Sequence, residues 1–472
     1  MKKMAKESKN IFKEFPKQFW LVVIFEFFER GSYYGMMSVL SIYLTEILGF
    51  SKEGVGIIKS TIQPLLYFLP ILTGAIADKL GYRRTLMIAF AFLGTGYFLT
   101  AQMVSYAAVF ISLVIMGIGA GTFKPIISGT IAKLTNEKNS TLGFGIYYWS
   151  INFGAFLFPL IIVPILKSID WQLVMIASAL GTGLMIIPTF FMFKEPPREI
   201  EQKEPVLKSI VQIFKKILDV ASNWRFILFI FIYSLFWILY FQMFDSVLWY
   251  FQTFVDATPL NNLVNSLFNT NWKFDVEHIT VINALTIIAL QLFVSNFVKN
   301  FKAFPTIIAG LIFGVIGMAM LAISNSIWVL LAGLIIFSFG EMTAHPKYIS
   351  YLGDIAPQDK KATYMGFGFL YGVFGSGIGG VLGAFLYVRL IDNPMIDFVK
   401  NKLTSDSSTF SVTKNMKISE IIEIGTANQI PKQEILSVAH TQEFWLIFAG
   451  IGVLAIFLLL AYDKLIGVKY KH

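Results

Sequence analysis

The chain has 472 residues, 56% of them hydrophobic and only 14% charged, with a net charge of +9 and no cysteine. Soluble domains run at about 45–50% apolar and ~25% charged, so this balance excludes an ordinary soluble protein and points to a polytopic membrane protein. Without cysteine there is no disulfide, thiolate nucleophile or cysteine-ligated metal, and the surplus of lysine reads as a topology signal rather than a nucleic-acid footprint.

The chain opens on six lysines within residues 1–17, followed by an apolar run near 19–44. That combination mimics a signal peptide. The run is too long, is broken by charge and lacks a small-residue cleavage site, so it is taken as the first span. Eleven further spans are predicted near 54–77, 85–103, 107–133, 142–166, 171–193, 226–252, 278–298, 304–323, 327–350, 363–388 and 443–462. The charged, Pro-Pro-containing stretch 194–225 divides them six and six and ends in a short amphipathic helix. The expected organisation is an N-terminal six-helix bundle (1–193), a linker (194–225), and a C-terminal six-helix bundle (226–472) with a long loop at 389–442. Lys and Arg concentrate at the N-terminus, after spans two, eight and ten, in the linker and in the tail. The turns after spans three and nine carry no charge. By the positive-inside rule both termini are cytoplasmic, in a cell-membrane protein, and the 389–442 loop lies outside.

The first span is unusual because it contains Glu26, Glu29 and Arg30. A charge at such depth costs at least about 2.5–3.5 kcal/mol on insertion scales, so intramembrane charges mark functional sites by default. Positions 26, 29, 30 and 33 share a helical face. Glu26 and Arg30, four apart, are expected to pair, leaving Glu29 to find a cation elsewhere.

This all-α layout of two six-helix bundles is the architecture of major facilitator transporters, in which the substrate sits near mid-bilayer between rocking halves. The stretch Gly74-Ala75-Ile76-Ala77-Asp78-Lys79-Leu80-Gly81-Tyr82-Arg83-Arg84 resembles that superfamily's loop signature between spans two and three. There Asp78 and Arg83 are candidates for a charged latch.

Four further motifs carry a narrower resemblance. Glu26-x-x-Glu29-Arg30-x-x-Tyr33-Tyr34-Gly35 is similar to the first-span signature of the proton-coupled oligopeptide transporter family. Gly119 to Pro125, with Lys124, resembles its fourth-span lysine motif. Tyr147 to Ala155 resembles its fifth-span signature, and Gly340-Glu341 with Pro346 its tenth-span glutamate. The resemblance implies a proton-coupled symporter of di- and tripeptides that works as a monomer in the lipid bilayer without cofactor or metal. It implies proton coupling through Glu26, Glu29, Arg30 and Lys124. It also implies a substrate pocket lined by Arg30, Tyr33, Tyr34, Lys124, Asn152, Asn283 and Glu341; Tyr67 and Trp237 are candidate aromatic walls, each equally readable as ordinary packing. The chemistry agrees: a zwitterionic peptide needs a cation for its carboxylate, from Lys124 or Arg30, and an anion for its amine, from Glu341.

The match has departures. Gly31 stands where the family has Phe, Met37 where many members have a second arginine, and Phe241 where span seven usually has a glutamate. With that arginine and glutamate both absent, the outer gate is expected to close by packing. Asp245, one turn beyond Phe241, is read as an ordinary interfacial acid near the outer rim rather than a displaced glutamate. His345, four residues after Glu341, is a possible second titrating group or a histidine simply hydrogen-bonded near the mouth. Two other functions share this layout: proton-driven antiport of a drug or metabolite, and a transporter-like sensor that binds without translocating. No nucleophile–base pair, P-loop or metal cluster suggests an enzyme.

Overall fold

The computed structural model describes residues 15–136, 139–196, 206–357, 361–405 and 416–466. Helices are the only regular elements long enough to name among these residues. Lipid cannot hydrogen-bond a backbone, so a spanning segment must satisfy its own N–H and C=O groups as a helix. Among the described residues eleven helices are long and apolar enough to cross a membrane: Lys52–Gly74, Tyr82–Gln102, Tyr106–Leu134, Leu142–Ile169, Gln172–Met192, Trp224–Phe244, Glu277–Val298, Ala303–Leu321, Ile327–Ile355, Tyr364–Leu403 and Lys432–Leu465. Lys17–Ile42, a helix of 26 residues, precedes them and carries Lys17, Glu26, Glu29 and Arg30. They correspond in order to spans two to twelve and span one.

The chain packs as two units. Residues up to Met36 and Leu65–Ser222 form the first; Met37–Pro64 and the residues from Asn223 onward form the second. The packing boundary therefore runs through the middle of spans one and two as well as through the linker.

Prolines shape the spans by what they cannot donate. Pro125 has no N–H for the carbonyl of Gly121, four residues back. Thr73 Oγ1 of span two donates to that carbonyl instead, at 3.1 Å. Pro394 likewise frees the carbonyl of Leu390, and His440 N–H takes it at 2.9 Å. The second bond fastens the end of the 389–442 segment to the end of span eleven. That segment was expected as a loop, yet where described it is helical: the span-eleven helix runs on into Asn393–Ser405, followed by Ile418–Ala427 and Lys432–Ser437. Val399, Ile421 and Ile435 are fully buried among these helices. The chain bury its own small apolar core there, which long polar loops lack. The amphipathic linker helix is present as Val206–Ser222.

Candidate functional site: a buried charge cluster and an isolated glutamate

In the first unit, spans one and five touch backbone to backbone. A Cβ on Gly154 would lie 2.7 Å from the carbonyl oxygen of Phe27, so only glycine allows this approach. It also explains Gly31, where the family has Phe: a Cβ there would stand 2.4 Å from the ring of Phe158. Phe158 of span five fills the volume that a span-one side chain would need.

The approach brings the span-five signature against the charges of span one. Glu26, Glu29 and Arg30 are all buried, at 1%, 0% and 4% exposure. Arg30 donates through Nη2 to Glu29 Oε1 at 2.6 Å and through Nε to Glu29 Oε2, a two-pronged pair. Its distance to Glu26 Oε1 is 3.8 Å. The i, i+4 expectation is thus corrected: Arg30 serves mainly its neighbour Glu29 and Glu26 only loosely. The planar guanidinium fork matches both oxygens of one carboxylate, which a single contact to Glu26 would not. The Tyr147 phenol lies against the Glu26 carboxyl. Glu26 Oε2 accepts no hydrogen bond and is buried.

Lys124 of span four lies within electrostatic reach of Glu26, Glu29 and Arg30, so four of the proposed coupling groups gather in one unit. The side chain is half-buried, with its ammonium 4.9 Å from the ring centroid of Tyr67. Arg30 lies 4.9 Å over the ring of Tyr33, which in turn meets Tyr34 edge to face at 5.3 Å. Both cations are thus flanked by aromatic faces. Asn152 is also half-buried, but its amide donates to the carbonyl of Tyr148 in its own helix at 2.9 Å. At the span two–three turn, Gly81 takes φ +92°. Asp78 accepts from the Tyr82 hydroxyl at 3.1 Å, and Arg83 donates to the carbonyl of Phe190.

In the second unit Glu341 is set on span ten beside Gly340, where a Cβ would stand 2.5 Å from the Gly310 carbonyl oxygen of span nine. Spans nine and ten therefore form a close hairpin that fixes the height of Glu341. Its Oε2 accepts from Asn283 Nδ2 at 2.9 Å. The same amide nitrogen donates to Ser338 Oγ at 2.9 Å, and Ser338 donates to the carbonyl of Leu334 at 2.8 Å. Within its unit Glu341 has no basic partner among the described residues. His345 is half-buried, its Nδ1 3.4 Å from the Tyr233 hydroxyl, with Trp237 and Tyr371 each edge-on at 5.4 Å. Trp237, 4% exposed, packs in that aromatic cluster. Lys347 donates to the carbonyls of Lys299 and Phe301 at 3.0 and 2.8 Å, closing the end of span eight.

The reading of Asp245 as an interfacial acid is corrected. It is 3% exposed, pairs with Lys59 at 2.6 Å and accepts from Ser41 Oγ at 2.6 Å. Lys59, 1% exposed, also donates to the Phe244 carbonyl at 2.7 Å. Met37 and Phe241, the two apolar departures, are each 3% exposed. Besides these two apolar residues the unit holds a buried Lys59–Asp245 ion pair that sequence reasoning missed. Its signal was available: a lone lysine inside an apolar span needs a partner.

The Major Facilitator Superfamily model matches residues 20–269 and 264–391, most of the chain. The chain belongs to the Major Facilitator Superfamily. Among curated relatives of this superfamily member, "Dipeptide and tripeptide permease A" of Klebsiella pneumoniae (strain 342) is 32% identical over 192 residues, 40% of this chain and 38% of the permease. "Uncharacterized transporter YclF" of Bacillus subtilis (strain 168) is 33% identical over 180 residues, 36% of this chain and 37% of that transporter. The match thus spans under two fifths of the length of these relatives. Among solved structures, "a POT family transporter in complex with 5-aminolevulinic acid" superposes with a TM-score of 0.68 at 19% identity, covering 95% of this chain and 96% of the other. A mutant of nucleoside transporter NupG gives 0.67 at 16%, covering 94% and 100%. At these identities the likeness establishes the fold, an all-α multi-pass membrane architecture.

Proposed function

We propose that this superfamily member is a symporter that takes up di- and tripeptides with protons by alternating access. The observation that carries the reading is the buried Glu26–Arg30–Glu29 cluster with Lys124 in electrostatic reach. It is supported by the permease and peptide-transporter relatives. In this reading Lys124 takes the peptide carboxylate, because Arg30 is already committed to Glu29 while Lys124 has an aromatic face and distant charges. Arg30 assists, and Tyr33, Tyr34, Tyr67 and Asn152 line the first unit's share of the pocket. Glu341, oriented by Asn283, takes the peptide amine, with Trp237 as an aromatic wall. Glu26, which has an oxygen without a hydrogen bond, takes the proton; its neutralisation loosens its attraction on Arg30 and Lys124 and readies them for a carboxylate. Release of peptide and proton resets the cluster. The linker and both termini are cytoplasmic, and one chain suffices.

Proteoliposomes with an inward-directed proton gradient test this. Labelled dialanine should accumulate uphill in wild type. Glu26→Gln should abolish gradient-driven accumulation while retaining exchange of internal for external dipeptide. Counterflow of amphiphilic drugs with none of dipeptides would overturn the substrate; full uphill accumulation in Glu26→Gln would overturn the proton's place.

A further inference from the structure

A second cationic site lies away from the charge cluster, where three span ends of the first unit meet. The helix Lys52–Leu80 stops, Tyr82–Gln102 starts and Gln172–Met192 ends around a cavity of about 640 Å³ lined in part by Lys79, Arg83, Arg84 and Lys194. Glu195 is the one acid in its lining. Both Glu195 oxygens are engaged by backbone donors at the start of span three, Tyr82 N–H at 2.6 Å and Arg83 N–H at 3.0 Å. That carboxylate already neutralises the helix end. Arg83 is turned away to the Phe190 carbonyl. Arg84 and Lys194 are exposed and form no ion pair among the described residues. The Lys194 backbone is held in place by the Gln18 amide, at 2.6 and 3.2 Å. Arg84 and Lys194, close together beside a carboxylate already engaged by backbone donors, favour an anion between them. The lining is apolar in part: Phe191 is 77% exposed and Leu80 41%, both at the ends of apolar spans. Span ends mark the depth of headgroups, and only an anion with an acyl tail satisfies the cations and the bare aromatic rim together.

We propose that this cavity binds the phosphate of an anionic phospholipid, held by Arg84 and Lys194 with the tail along Phe191 and Leu80. The full chain, purified in detergent and given equal phosphatidylglycerol and phosphatidylcholine, should retain phosphatidylglycerol preferentially by native mass spectrometry. Arg84→Gln with Lys194→Gln should weaken that retention roughly thirtyfold, at ~1 kcal/mol for each removed cation. Equal retention of the two lipids, or an unaltered double variant, overturns the proposal, as does displacement of the lipid by millimolar inorganic phosphate, which would mark a free-phosphate site. Should the double variant fail to fold, the wild type decides. Phosphatidylglycerol, and not phosphatidylcholine, should slow acylation of the Lys194 amine; equal rates overturn the proposal.

Discussion

The two units stabilise buried acid in opposite ways. In the first, Glu29 is closed by a bidentate arginine, a second carboxylate stands close by, and a lysine lies within electrostatic reach. In the second, Glu341 leans on a neutral amide, itself braced by Ser338, with no cation of its own unit at hand. An ion pair answers the charge of a carboxylate, whereas an amide answers only its hydrogen bonding. The first arrangement sets cations against its acids, although one Glu26 oxygen is left without a hydrogen bond. The second leaves the carboxyl without a counter-charge from its own unit among the described residues. The Lys59–Asp245 pair shows that the second unit is capable of full pairing elsewhere, so the isolation of Glu341 is local.

The strongest way to break this contrast is to remove a cation. Arg30→Gln leaves Glu29 and Glu26 buried together and should cost about 3–5 kcal/mol, read as a large fall in thermal unfolding temperature in detergent. Arg30→Lys should recover little, because one ammonium cannot reproduce the fork. Lys59→Met should cost nearly as much, while Lys59→Met with Asp245→Leu should regain most of the loss. A double-mutant cycle showing strict additivity would mean the pair carries no coupling. Glu341→Gln should do the reverse: little change in unfolding temperature, but affinity for dipeptides weakened about ten- to a hundredfold, as expected for one charged hydrogen bond. A dipeptide with an acylated amine should bind wild type and Glu341→Gln alike. The smallest effect belongs to Ser338→Ala, which loosens Asn283 and should cost ~0.5–1.5 kcal/mol, seen as a few-fold rise in KM with kcat retained.

Much of the cluster was legible because it lies within one helix. Glu26, Glu29, Arg30 and Tyr33 share a face by spacing alone, and an acid in an apolar span advertises itself. The error lay in choosing partners by i, i+4 geometry, when a long flexible arginine can fold back onto its immediate neighbour. Gly31 looked like a departure until Phe158 accounted for it; volume is exchanged between helices, and sequence separation hides the exchange. Asp245 was misplaced for the same reason. Its depth was counted along one helix, but Ser41, 204 residues away, and Lys59 enclose it.

Composition and periodicity alone determined that the chain crosses a membrane many times, where its spans lie, and which of them carry charge. These follow from the cost of moving polar groups out of water, a property of each residue. Which side chain meets which was decided only in three dimensions: Arg30 with Glu29, Lys59 with Asp245, Asn283 with Glu341. Pairing depends on side-chain rotamers and on how closely helices approach, and an interaction that needs contact cannot be read before the contact exists.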